Sequence, residues 1–168
     1  MQFEYSLSGK WLELLKQIAP SVTRAAVLRD PALTGGIGQF AVIQSVAPSL
    51  GVEVSAVSVR DPGEIERAVA TFARSPNGGL VVTSSALTLR HRDLIFALAA
   101  RHKLPAVYYR RYFVTSGGLI SYGYDLVEPV PARGRFGNFP LSQRYQRFRR
   151  ILAGPVFLRG RVRGRGWR

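Results

Sequence analysis

Apolar residues in the first 128 positions fall into two alternating patterns: short continuous runs and stripes at helical spacing. Residues 24–28 (RAAVL), 79–82 (GLVV) and 105–109 (PAVYY) are the continuous runs, the mark of strands buried on both faces. Val52, Val54, Val57 and Val59 make a further β-rich segment, and residues 119–122 a fifth after a Gly117-Gly118 break. Between them lie helical patterns. Leu7, Trp11, Leu14, Leu15 and Ile18 stripe a first helix that Ser8 is placed to cap and Pro20 stops. Phe40, Ile43, Val46 and Leu50 stripe a second after a loop over residues 29–36, with Pro48 shortening its end. Asp61-Pro62-Gly63-Glu64 opens a third with an N-cap, Pro at the first helical position and Glu at the third. Its inward face is Ile65, Val69 and Phe72, and Asn77-Gly78-Gly79 turns the chain. A fourth, about residues 88–102, buries Leu94, Ile95 and Leu98 and ends in cations that favour a helix C-terminus.

Strands alternating with crossover helices predict an α/β fold: a Rossmann-like parallel sheet of about five strands with helices on both faces. In such sheets ligands bind at the carboxyl ends of the strands. That rule selects Asp30, Ser84, Ser85, Tyr109, Tyr122, Tyr124 and Asp125 as candidate ligand-binding residues. Hydroxyls, aromatic rings and two carboxylates suit hydrogen bonding and stacking on a small polar or aromatic molecule. A purely structural role, with Ser84 and Ser85 capping a helix and Asp30 capping a turn, stands beside that reading on equal terms. No nucleophile, base and orienting group fall together, so the chain is not expected to be an enzyme. Gly36-Ile37-Gly38-Gln39-Phe40-Ala41 fits G-x-G-x-x-A, but seven residues separate it from the preceding strand. A dinucleotide fingerprint follows its strand directly, so no cofactor is expected.

Composition narrows the classes further. The chain of 168 residues is 46% hydrophobic and 11% aromatic, which suits one folded domain. No apolar run approaches the roughly 18 residues of a membrane span. Cys is absent and His91 and His102 are the only histidines, so thiolate and His-based metal chemistry are not expected. The N-terminus shows no charged segment leading into an apolar one, so no export signal is expected. The net charge of +14 is unevenly placed. All ten acidic residues lie at or before Glu128, against thirteen Lys and Arg. The other eleven cations are arginines between Arg133 and Arg168, with no acid among them.

The segments FEYSLSGKWLELLKQIAP (3–20), TRAAVLRDP (23–31), RSPNGGLVVTSS (74–85) and LAARHKLPAVYYRRYFVTSGGLISYGYDL (98–126) carry a resemblance. They are similar to the ABC-transporter substrate-binding proteins of the tryptophan/tyrosine-binding-like group, which have a type I periplasmic-binding-protein fold. The resemblance covers about residues 3–128. It implies a small-molecule solute, with an amino acid among the candidates, captured without bond making in a cleft between two lobes. It also implies a periplasmic location and hand-over to an ABC permease. By that resemblance the chain is the second lobe alone, without the family's signal peptide and first lobe. Asp30 falls where the family often has Asn before Pro, which leaves the ligand's identity open. A lobe without its partner is expected to bind solute weakly and to self-associate through the uncovered face.

Residues 129–168 depart from the family. The Arg-, Gly- and Pro-rich text is what a GC-rich gene yields out of frame, so the expectation is two regions: a solute-binding lobe over 1–128 and an atypical tail. The alternative is that the tail binds nucleic acid, its arginines contacting phosphate and Phe136, Phe139, Tyr145, Phe148 and Trp167 stacking on bases. Basic runs are weakly diagnostic, and nucleic acid is the less expected partner.

Overall fold

The structure, a computed structural model, describes residues 3–116 and 118–123. Along the chain run α1 (Phe3–Ile18), β1 (Arg24–Arg29), α2 (Thr34–Val46), a 3-10 turn (Pro48–Leu50), β2 (Glu53–Ser58) and α3 (Pro62–Phe72). They are followed by β3 (Gly78–Val82), α4 (Ala86–Arg90), α5 (Arg92–Arg101), β4 (Ala106–Tyr108), α6 (Arg111–Thr115) and β5 (Ile120–Ser121). The five strands form one sheet in the order β2-β1-β3-β4-β5, and every adjacent pair is parallel. The expected α/β sheet is the one that forms.

Two neighbouring glycines show how the layers close. A Cβ at Gly79 would come within 2.9 Å of Leu15 in α1. A Cβ at Gly78 would come within 2.7 Å of Phe72 in α3. Successive strand residues face opposite sides, so β3 is sandwiched between α1 on one face and α3 on the other. α2 packs beside α1, and α5 beside α3. The core between these layers includes Leu12, Leu15, Val27, Leu28, Ile43, Ile65, Leu80, Val82, Ile95 and Leu98, each essentially inaccessible to solvent.

Local chemistry explains some element ends. The Asp61 carboxylate accepts from the Glu64 backbone N–H at 2.9 Å, the N-cap expected for α3. Asn77, at φ 60°, makes the left-handed turn into β3, which begins one residue earlier than expected. Other boundaries moved. α1 begins at Phe3, so Ser8 is a buried interior residue and not its cap. A helix lying flat on a sheet buries more than one stripe, which is why Leu12, outside the expected stripe, is completely covered. α2 starts at Thr34, inside the segment expected to be a loop. The helix expected over 88–102 is two helices, hinged at His91.

No helix among the described residues is long and apolar enough to cross a membrane. The expected division near residue 128 and the arginine-rich tail lie outside the described residues.

Candidate functional site

Because all five strands are parallel, their carboxyl ends form one rim. After β2 the chain crosses β1 to lay down β3 on its other side, so the connections diverge between β1 and β3. That switch point is where open α/β sheets leave a crevice.

Asp30 follows β1 directly and is buried. Its carboxylate accepts from the Ala32 backbone N–H at 2.9 Å, closing a local turn. Across the switch point, the Thr83 backbone N–H and hydroxyl both donate to the Leu28 carbonyl, at 3.0 Å and 2.9 Å, fastening the end of β3 to β1. Ser85 caps α4: its hydroxyl accepts from the Thr88 N–H at 3.0 Å, while the Thr88 hydroxyl accepts from the Ser85 N–H at 3.2 Å. The Thr88 hydroxyl also lies 3.0 Å from the Thr83 carbonyl and 2.9 Å from that of Ser85, either of which can take its proton. Thr88 is thus the hub that shapes this loop. The sequence reading missed it, because a threonine inside a helical segment carries no signal of burial.

Tyr109, leaving β4, joins the same cluster. Burial pushes its phenol above the ordinary value, and hydrogen bonding from Thr88, the positive charge of Arg110 and hydrogen bonding from Ser84 pull it partly back. Its ring packs 5.0 Å from Phe113, and the Arg110 guanidinium lies 5.7 Å from its centroid. Tyr122 stands on the α1 side instead. Its carbonyl accepts from the Trp11 indole N–H at 2.6 Å, and its N–H donates to the Tyr108 carbonyl at 2.9 Å. The neighbouring Lys10 is held above its ordinary value chiefly by Glu13, with a smaller contribution from Tyr122. The structure therefore gathers Ser84, Ser85 and Tyr109 into one cluster. Asp30 lies beside it across the switch point, and Tyr122 sits on the α1 side of the rim. Tyr124 and Asp125 lie outside the described residues.

The rim is also where apolar surface is exposed. Among the described residues the exposed large apolar side chains are Leu33, Ile37, Leu89 and Tyr112, 39–51% accessible. Leu33 and Ile37 belong to the start of α2, Leu89 to α4 and Tyr112 to α6, elements that all begin at strand carboxyl ends. Gly36, from the G-x-G-x-x-A segment, lies in the first turn of α2, where a Cβ would come 2.9 Å from the Asp30 carbonyl. That close approach accounts for the glycine as packing of helix on strand end.

Tyr108, one residue before the rim, supplies a test. Burial raises its phenol far above the ordinary value of 10.0. A raised folded value means the stability is complete below pH 10 and is lost as pH climbs above it. The expected loss is about 1.4 kcal/mol per pH unit between the unfolded and folded values. Urea midpoints at pH 8 and pH 11 should therefore fall further for the natural chain than for Tyr108→Phe. Equal falls would show that the Tyr108 phenol does not set the alkaline limit.

Neither a family model nor a curated protein matches this sequence. Solved structures do match its fold. An ABC domain in complex with L-Trp from Streptococcus pneumoniae aligns with a TM-score of 0.63 at 19% identity, over 70% of this chain and 40% of that one. A conserved domain protein from Vibrio cholerae gives 0.62 at 18% identity, over 70% and 40%. A substrate-binding protein with adhesive properties from Clostridium difficile, in a ligand-free, open structure, gives 0.61 at 21% identity, over 69% and 39%. The chain thus spans about 40% of the length of the structures it matches. What this chain shares with each of them is the parallel α/β fold, over that part of their length.

Proposed function

We propose that this chain is one wall of a solute-capturing cleft, the second lobe of the substrate-binding component of an ABC importer. The observation that carries the reading is the rim. Polar groups from β1, β3, β4 and β5 come to one edge, and the exposed large apolar side chains border that same edge. Polar groups ringed by apolar surface suit a solute and a second lobe closing over it. Capture is non-covalent, and the implied partners are a small solute and a permease outside the cytoplasmic membrane. The solute-binding region extends to about residue 128, and residues 129–168 are an appended arginine-rich tail of different origin.

One wall cannot bury the 70–90% of a ligand that small-molecule sites usually enclose. The chain by itself is therefore expected to bind in the millimolar range, where about −4 kcal/mol of binding free energy corresponds to contact on one side. Titration with L-tryptophan and L-tyrosine, followed by backbone amide NMR, should shift residues around Asp30, Ser84, Ser85, Tyr109 and Tyr122. Shifts centred elsewhere would sink the rim as the site. Micromolar affinity by calorimetry would sink the single-wall interpretation.

A further inference from the structure

We infer that Arg29 and Gln39 form an oxyanion-binding corner of the rim, taking a carboxylate or phosphate group of the solute; this rests on the solute-binding reading above. Arg29 is the last residue of β1. Ala25 pairs in register with Gly79, which faces α1, so Arg29 lies on the same α1/α2 face of the sheet, four residues on. Its guanidinium carbon lies 5.5 Å from the Phe40 ring centroid in α2. Its Nε and one terminal nitrogen are buried without a hydrogen-bond partner. The three ion pairs among the described residues, Lys10–Glu13, Arg92–Asp93 and Arg101–Glu66, leave Arg29 out. The adjacent Asp30 carboxylate is turned into its own backbone.

Gln39 lies on the inward side of α2, one turn after Gly36. A Cβ at Gly36 would come within 3.8 Å of the Arg29 Cβ, so this side of α2 is drawn against the end of β1. Gln39 is 5% accessible, and its Oε1 is also buried without a partner. Buried donors on a cation and a buried acceptor nearby, all unsatisfied, carry a desolvation cost that apolar side chains of the same volume would avoid. A face over Phe40 returns only part of that cost. An oxyanion satisfies the Arg29 N–H groups, and a donor on the same solute satisfies the Gln39 carbonyl.

The test is thermal unfolding of the full chain in sodium acetate and in sodium phosphate, each against sodium chloride at matched ionic strength, for the natural chain, Arg29→Met and Gln39→Leu. In chloride, Arg29→Met should melt at or above the natural chain, because it removes two buried guanidinium nitrogens that have no partner. Either oxyanion should raise the natural chain's midpoint, and Arg29→Met should lose roughly half or more of that rise. A rise in acetate alone assigns a carboxylate, a rise in phosphate alone assigns a phosphate group, and a rise in both assigns a site open to either oxyanion. Gln39→Leu should keep the rise in acetate, since the Gln39 carbonyl needs a donor and the acetate ion has none to give. A marked fall in the midpoint of Arg29→Met in chloride, no rise in the natural chain, or a full rise kept by Arg29→Met overturns the inference. Solute-induced amide shifts that persist in Arg29→Met would leave the solute-binding reading standing while removing this one. An oxyanion effect lost in Arg29→Met, with no solute bound, would do the reverse.

Discussion

Phe113→Ala is expected to lower folding stability by about 3–5 kcal/mol, as deletion of a buried aromatic ring in a core usually does. Phe113 is completely buried at the centre of an aromatic cluster. Its ring stacks on Tyr108 at 5.4 Å and meets Tyr109 at 5.0 Å, Phe96 at 6.0 Å and Tyr112 at 6.3 Å. It also anchors α6, whose five residues are too few to hold a helix without packing. Removing the ring therefore leaves a cavity, releases α6 and takes away the backing of Tyr109 on the rim. Urea unfolding of the two chains measures the loss, and a difference below about 1 kcal/mol would show that the cluster does not hold this end of the sheet together.

The second large effect tests how closely α1 is drawn onto the sheet. Leu15→Ala is expected to cost about 2–5 kcal/mol, since Leu15 is fully buried and fills the space above Gly79. Gly79→Val should cost about 1–3 kcal/mol by overpacking against the same side chain. The two changes touch one space, so the double variant should lose less than the sum, with a coupling of about 0.5–3 kcal/mol. Strict additivity in a double-mutant cycle would mean that α1 does not press on β3 at this point.

Both tests probe features the linear pattern shows only in part. Residues 24–28 and 79–82 announce central strands because a strand covered on both faces needs apolar side chains at every position. The observed β1 and β3 have that continuous burial. β2, at the sheet edge, is mostly accessible, and only its β-branched content marked it. The strand-end rule led to Asp30, Ser84, Ser85, Tyr109, Tyr122, Tyr124 and Asp125; the first five follow strand ends in the structure, and the last two lie outside the described residues. It could not separate ligand contact from capping, because a hydroxyl after a strand does both equally well. Ser85 and Asp30 do perform local capping here. Thr88, Arg29 and Gln39 escaped notice because polar side chains in helical or strand-end positions ordinarily face water.

By itself, the sequence determined the alternation of strands and helices and hence a parallel sheet, because burial periodicity and helix-ending signals act over neighbouring residues. Only the tertiary structure decided that β1 and β3 lie side by side at the centre, that Thr88 ties the loop after β3, and that polar atoms of Arg29 and Gln39 are buried without partners. Those outcomes depend on which distant segments pack against one another, and a local pattern of apolar and polar positions holds no information about partners across the sheet.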